Sequence, residues 1–452
     1  MPVNLPRLPE LVEHLLDLPP RVNVLRRAGM FDPVRPDETI RSMAAVRRFG
    51  PLAGGILASR RRNGGTFALI DEIGSLTFDQ LDLRSNALAR AWTRRGLGAD
   101  SVIAILCRDH RGLIDAMLAS AKIGARALLA NTGFSGPQLV DVAARERVSA
   151  LVYDQEFAEL LAGTPDNIDR YLGWVDDEDT VDRRVPRIER LIAETKDAPV
   201  PPPTRQGGMT LLTSGTTGTP KGAPRHVGSP LVATHFLERV PLHRGDTVFI
   251  ASPMFHATGL SQMILTLGLG STVVVRRRFD AEATLRALAE HRCTGFVVVP
   301  TMLQRILDLG PQVLPTYDTS ALRVILTAGS VLAPEVSNRA LDAFGEVVYN
   351  LYGSTEVAVA TIATPDELRA APGTVGRSPR GCLVRLYDKA GQEVTEPEVT
   401  GRIFVGSELA FTGYTDGGGK EIIGGLLSSG DVGHRNADGL LFVDGRDDDM
   451  IV

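Results

Sequence analysis

Cysteine is scarce. Cys107, Cys293 and Cys382 are the only three, too scattered for a CxxC zinc pair and too few for a disulfide framework. A small stapled scaffold is thereby excluded, and a reducing cytosol fits best. No stretch reaches the ~18 uncharged apolar residues of a membrane-crossing helix. Asn4, Glu10, Glu13 and Asp17 interrupt the place where a secretory signal would need its apolar core. Positive charge is not in excess either: 49 basic against 54 acidic residues leave −5 at pH 7, which offers no field for a nucleic-acid backbone. Lysine is nearly absent, since Lys122, Lys196, Lys221, Lys389 and Lys420 stand against an arginine background. That bias reflects coding composition and says little of function.

What is present is an ordinary globular composition, 43% hydrophobic and 23% charged over 452 residues. At ~150 residues per domain this predicts several packed units. Leu8, Leu11, Val12, Leu15 and Leu16 make an apolar stripe at helical spacing, which Pro19 and Pro20 are expected to end. The stripe reads as a helix packed on the body. The sharper reading is an interfacial helix touching membrane, against which its acidic polar face argues. A cytoplasmic location follows, with membrane association only through that helix.

From Thr66 onward, strands alternate with helices: Ser101–Cys107, Arg111–Ile123, Ala125–Leu129, Gly136–Glu146 and Ser149–Tyr153. This is the pattern of a mostly parallel sheet wrapped by helices. Ala198–Pro203 reads APVPPP and marks a linker. The alternation resumes through Thr247–Ala251, Thr272–Val275, Phe296–Val299, Val324–Thr327 and Val347–Leu351. After about Ala363, glycine-punctuated runs without long helices predict an antiparallel barrel. The fold class expected is α/β, with two αβ-layered subdomains, mostly parallel sheets and a C-terminal β-barrel. Its division would be 1–50 as a helical extension, 51–203 and 204–362 as the two subdomains, 363–444 as the barrel and 445–452 as a hinge.

Thr213-Ser-Gly-Thr-Thr-Gly-Thr-Pro-Lys-Gly222 follows the apolar run Met209–Leu212. Glycines let backbone N–H groups close around an anion, hydroxyls donate further hydrogen bonds, and Lys221 adds charge for phosphate oxygens. It is no Walker P-loop, because Pro220 and Gly222 stand where that pattern needs Gly and a hydroxyl. Further motifs follow the same chain order: Leu76-Thr-Phe-Asp-Gln-Leu, Ser85-Asn-Ala-Leu-Ala, Ala121-Lys-Ile-Gly-Ala125, Pro253-Met-Phe-His-Ala-Thr-Gly259, Val299-Pro-Thr-Met302, Tyr352-Gly-Ser-Thr-Glu356, Ser429-Gly-Asp-Val-Gly433 and Gly445-Arg-Asp-Asp-Asp-Met-Ile451.

With these motifs the chain resembles the adenylate-forming superfamily of acyl-CoA synthetases, luciferases and peptide-synthetase adenylation domains, over roughly residues 65 to 452. The resemblance implies ATP, Mg²⁺ and CoA as co-substrates or cofactors. Thr213, Ser214, Gly215, Thr216, Thr217, Gly218 and Lys221 would hold the β- and γ-phosphates, Thr355 the α-phosphate, and Glu356 the metal. Adenine would meet Tyr352, Gly353 and the Ala328-Gly329-Ser330 turn, while Asp431, assisted by Arg446, would take the ribose. His256 would position the acid's carboxylate. Peptide-synthetase relatives carry an aspartate near Phe255-His256-Ala257 to pair with a substrate ammonium. Its absence, with the apolar runs Gly259–Leu267 and Val297–Leu303, points to a medium- to long-chain fatty acid as the substrate of a fatty-acid–CoA ligase.

Family members continue past Gly-Arg-x-x-Asp into a mobile lid bearing a lysine, whereas this chain ends at Val452, just beyond Asp448 at the pivot position. The expectation is a chain without its lid, impaired in thioester formation. Two alternatives stand beside it: an acyl-AMP ligase serving a carrier protein, and an adenylate-binding module without turnover. A second copy of the chain is a further candidate partner.

Overall fold

The computed structural model describes residues 8–31, 33–213, 221–225, 230–411, 413–414 and 418–447. Three sheets carry the fold. The first runs in the order Asp169–Trp174, Ala150–Asp154, Val102–Leu106, Arg126–Leu129, Met209–Thr213, Lys221–Arg225. All its pairings are parallel except the last, a hairpin in which Thr213 lies opposite Lys221. The second runs Ala358–Ala363, Val348–Ser354, Val324–Thr327, Gly295–Val298, Thr247–Ile250, Thr272–Val274, Phe67–Asp71, Gly74–Thr77. Its six inner strands are parallel, and each edge is closed by an antiparallel strand. The third sheet is wholly antiparallel and is built from Cys382–Tyr387, Glu393–Val394, Gly401–Ser407, Ile422–Ile423, Leu426–Arg435 and Leu441–Arg446. The expected α/β class with a C-terminal antiparallel unit is what the chain forms.

Alternation along each buried strand assigns its side chains to layers. In Val102–Leu106, Ile103 and Ile105 enter the core between the two parallel sheets, while Val102, Ala104 and Leu106 face the outer core. In Thr247–Ile250, Val248 and Ile250 enter the same inner core, and Phe249 faces outward against Phe296. Helices Pro36–Asn63, Phe78–Thr93, Arg111–Ile123 and Ala257–Leu269 supply much of the rest of the inner core.

Two of the sequence motifs prove to be each other's partners here. Lys122, on helix Arg111–Ile123, is fully buried, and its Nζ donates to Asp82 Oδ1 at 2.5 Å, Ser85 Oγ at 2.7 Å and Asn86 Oδ1 at 2.8 Å. Arg60 takes the other Asp82 oxygen. Burial lowers the Lys122 ammonium from its usual range, and Asp82 opposes that shift.

Two expectations about organisation differ from the structure. Pro19 and Pro20 do not end the first helix, which runs Leu8–Arg27. Proline's fixed φ is compatible with a helix, and its costs are the lost N–H and a clash of its ring with the carbonyl four residues back. Arg21 anchors the turn that follows, donating to Glu408 at 2.7 and 3.0 Å, Thr234 at 3.1 Å and the Leu231 carbonyl at 3.1 Å. The sheets also exchange strands across the division placed at 203/204. Phe67–Asp71 lies beside Thr272–Val274 in the second sheet, and the Met209–Thr213 hairpin completes the first. Such long-range pairing leaves no trace in local composition. Among the described residues no helix is long and apolar enough to cross a membrane.

Removing one partner of a buried, hydrogen-bonded ion pair leaves the other charge uncompensated, so Lys122→Met should lower unfolding free energy by about 3 kcal/mol. Urea denaturation checks this. A loss below ~1 kcal/mol would put the pair in the class of surface salt bridges.

Candidate active site

Ligands of open α/β sheets bind beyond the carboxyl ends of parallel strands. At that edge of the second sheet the chain leaves Ile250 toward Pro253–His256, Val298 toward Val299-Pro300, Thr327 toward Ala328-Gly329-Ser330, and Ser354 toward Thr355-Glu356. At the corresponding edge of the first sheet, Leu106 leads to Cys107–His110 and Thr213 leads to the glycine-threonine stretch. The two edges meet. Asp109 accepts the Met254 amide at 3.0 Å. Arg111 donates its guanidinium to Asp71 at 2.6 and 2.9 Å and its own amide at 3.0 Å. Arg277 donates to Asp176 at 2.6 Å and Glu156 at 3.0 Å, with its guanidinium 4.4 Å from the centre of the Trp174 ring.

Glu356 sits in the turn between Val348–Ser354 and Ala358–Ala363. The turn is tight: a Cβ on Gly353 would lie 1.8 Å from the Ala358 carbonyl oxygen, and Ala358 itself has φ of +63°. Ser354 Oγ accepts the amides of Glu356 and Val357 and donates to Glu356 Oε2 at 2.9 Å. The Tyr414 hydroxyl donates to Oε1 at 2.5 Å, and the Phe411 amide meets the Glu356 carbonyl at 2.8 Å. Burial alone would raise this carboxyl. The hydrogen bonds from Tyr414, Ser354 and its own amide, with the charge of Lys420, hold it below the usual range. An ionised carboxylate with lone pairs to spare is a hard oxygen donor of the kind Mg²⁺ takes.

Tyr352, on the same strand, reaches the third sheet. Its hydroxyl donates to Asp431 Oδ2 at 2.6 Å, while Arg446 Nη1 donates to Oδ1 at 2.9 Å. Asp431 and Arg446 are opposite one another in the antiparallel register, so the sheet itself sets the ion pair. Burial first, then the Asp431 charge, raises the Tyr352 phenol far above its usual range.

The Ala328-Gly329-Ser330 turn ends strand Val324–Thr327. Ala328 is buried, Gly329 adopts φ of +92°, and Ser330 is exposed. His256 is exposed at the start of helix Ala257–Leu269, its ring 4.5 Å from that of Phe255. Gly259 lets this helix close on the preceding loop, because a Cβ there would lie 2.3 Å from the Ser252 carbonyl oxygen. The apolar run that suggested an alkyl tunnel packs as core: Leu260, Met263 and Leu267 are buried between the sheets.

Ser214, Gly215, Thr216, Thr217, Gly218 and Asp448 lie outside the described residues, and of Thr213 and Lys221 only the backbone is described. The structure brings Tyr352, Gly353, Thr355, Glu356, Asp431 and Arg446 together, with Tyr414 and Lys420 as members that no motif had marked. Tyr414 follows a glycine in an irregular segment, without periodicity or flanking charge to single it out.

One group of metal-type side chains stands together elsewhere among the described residues: Cys107, His110 and Asp154, all buried. Its donors are already used. His110 Nδ1 accepts the Gly112 amide at 3.0 Å, so Nε2 carries the proton and donates to Asp154 Oδ1 at 2.8 Å, while the Arg108 amide takes Oδ2 at 2.9 Å. Burial pushes the Cys107 thiol well up, which keeps it protonated. The trio is a hydrogen-bonded support for the end of the first sheet.

The sequence matches the AMP-binding enzyme family over residues 57–415. It is 30% identical to indoleacetate–CoA ligase of Aromatoleum aromaticum over 394 residues, which cover 83% of this chain and 74% of that one. It is 29% identical to feruloyl-CoA synthase of an Amycolatopsis species, covering 87% and 77% of the two chains. Among solved structures, the anthranilate CoA ligase AuaEII in complex with anthranoyl-AMP superposes with a TM-score of 0.79 at 21% identity, over 88% of this chain and 78% of that one. A benzoate CoA ligase from Burkholderia xenovorans does so with a TM-score of 0.76 at 23% identity, over 88% and 81%. With four-fifths of its length inside the family match, the chain belongs to the AMP-binding enzymes.

Proposed function

We propose that the protein is an AMP-forming acid–CoA ligase whose acid is aromatic. The observation that carries this reading is the Glu356 carboxylate, held ionised in a tight turn beside the Tyr352–Asp431–Arg446 chain. A carboxylate is a poor electrophile. Its oxygen would attack the α-phosphorus of ATP and expel pyrophosphate; the CoA thiol would then attack the acyl carbon and release AMP.

In this reading Thr213, Ser214, Gly215, Thr216, Thr217, Gly218 and Lys221 hold the leaving pyrophosphate in line with the attack. Thr355 takes the α-phosphate, and Ala328, Gly329, Ser330 and Gly353 admit the adenine beside Tyr352. Asp431, oriented by Tyr352 and Arg446, keeps acceptor capacity for the ribose hydroxyls. Glu356 would hold Mg²⁺, which supplies neutralisation of the charge on the phosphate oxygens. His256 orients the acid's carboxylate at the entrance.

The fatty acid expected from sequence gives way to an aromatic acid for two reasons. Leu260, Met263 and Leu267, from the apolar run that supported it beside the missing ammonium partner, are core residues. Relatives sharing 28 to 30% identity are by name ligases of indoleacetate, hydroxybenzoate and ferulate. CoA as acceptor, in place of a carrier protein, rests on the same names.

Three outcomes test this. Glu356→Ala should lose at least two factors of ten in acid-dependent pyrophosphate exchange, each worth ~1.4 kcal/mol of transition-state stabilisation, with an unchanged melting temperature. Exchange within threefold of wild type would remove Glu356 from the reaction, since a transition-state metal contact is worth several kcal/mol. Gly353→Ala should abolish ATP binding in calorimetry, because relieving the Cβ contact with Ala358 opens the turn; normal affinity would mean that the turn tolerates a side chain. In a substrate panel, kcat/KM for indoleacetate or hydroxybenzoate should exceed that for dodecanoate by about tenfold or more. The reverse order would restore the fatty acid.

A further inference from the structure

Asp109 is buried, at 7% of its full exposure, and belongs to the turn that follows strand Val102–Leu106 of the first sheet. Its side chain accepts a hydrogen bond from outside that sheet altogether. The Met254 amide, 145 residues further along the chain, donates to Asp109 Oδ1 at 3.0 Å. Met254 is itself fully buried, one residue before Phe255 and two before His256. From there the chain enters helix Ala257–Leu269, and Gly259 leaves no slack against the Ser252 carbonyl. The segment is thus pinned at two points, by Gly259 packing from its own sheet and by Asp109 from the other.

We propose that Asp109 is a positioning residue: its side chain registers the Pro253–Gly259 loop against the end of the first sheet and so sets where Phe255 and His256 stand at the mouth of the acid site. This rests on the reading of that loop as the acid entrance.

The proton on Asp109 bears on this role. Burial pushes its carboxyl up to about 7, against the Met254 amide, which favours the charged form. Arg108 on its own turn also favours ionisation, and Asp154 on the neighbouring strand opposes it. From the second sheet the group facing it is the Met254 amide. A hydrogen bond to a charged acceptor is stronger than one to a neutral acceptor. The loop is therefore held more firmly above pH 7 than below it. Stability runs the other way: a carboxyl whose folded value lies above its unfolded one binds its proton more tightly when folded, so its contribution falls as pH rises from about 4 to 7.

The experiment compares wild type, Asp109→Asn and Asp109→Ala. In wild type the KM for the acid should fall several-fold from pH 6 to pH 8. In Asp109→Asn, which keeps a neutral acceptor, that change should vanish; His256 is the same in both proteins, so only the limb missing from the variant belongs to Asp109. Asp109→Ala should raise the KM for the acid about tenfold and leave that for ATP within twofold. Independently of catalysis, deuterium exchange of the 252–260 segment should speed up in Asp109→Ala and stay slow in Asp109→Asn. Unaltered exchange in Asp109→Ala, or identical pH profiles in wild type and Asp109→Asn, would overturn the proposal. If no acid is turned over by any of the three proteins, the ligase reading fails, while the exchange result still decides the role of Asp109.

Discussion

Burying a carboxylate without a partner is among the most costly things a fold can do, and this one buries several where its two parallel sheets meet. Asp71 and Asp154 end strands and Asp109 lies in the turn just beyond one, and all three are satisfied with help from the opposite sheet. Arg111 of the first sheet grips Asp71 of the second and holds it below the usual range despite burial. Met254 of the second sheet caps Asp109 of the first. Arg277 of the second approaches Asp154 to 3.7 Å while pairing with Asp176 and Glu156. These contacts require one relative placement of the sheets. That placement decides how the hairpin carrying the phosphate-type sequence stands to the turn carrying Glu356.

The third sheet is tied to this frame at two places. Tyr352 reaches Asp431 from the second sheet, and Val357 and Ala360 share a small core with Val384, Leu386, Ile403 and Val405. On the other side, Arg21 of the N-terminal helix clasps Glu408, six residues before Tyr414, which in turn holds Glu356. The first helix is thereby linked, through one irregular segment, to the carboxylate most important for the proposed chemistry. A proposed metal ligand gains from such support, because an oriented and ionised carboxylate costs less to reorganise when the cation arrives.

The site was legible where its residues are contiguous. Tyr352 through Glu356, Ser429 through Gly433 and the glycine-threonine stretch stand out as candidates because tight turns, and loops of the composition that anion binding calls for, place particular residues at adjacent positions. The alternation of strand and helix was legible for a related reason, since a parallel strand buried on both faces must be apolar throughout. What could not be read depends on pairings between distant segments. Nothing near Tyr414 says that its hydroxyl meets Glu356, and nothing near Asp109 says that it caps Met254. Lys122 and Ser85-Asn86 were each visible as motifs, yet only the packing of their helices shows that they exist for one another. The placement of Phe67–Asp71 in the second sheet, and the helix that continues through Pro19 and Pro20 to the anchor at Arg21, belong to the same class. The class of acid is not legible, because Leu260, Met263 and Leu267 satisfy a core and a tunnel equally well by composition.

The central claim is that the acid is activated by joining its own oxygen to the α-phosphorus of ATP. The measurement that meets it most directly is to supply an aromatic acid whose carboxylate carries heavy oxygen, with MgATP and CoA, and to follow the label by mass spectrometry. The account predicts that nucleotide leaves as AMP carrying one labelled oxygen, together with unlabelled pyrophosphate. Unlabelled AMP, or ADP with labelled orthophosphate, would contradict it.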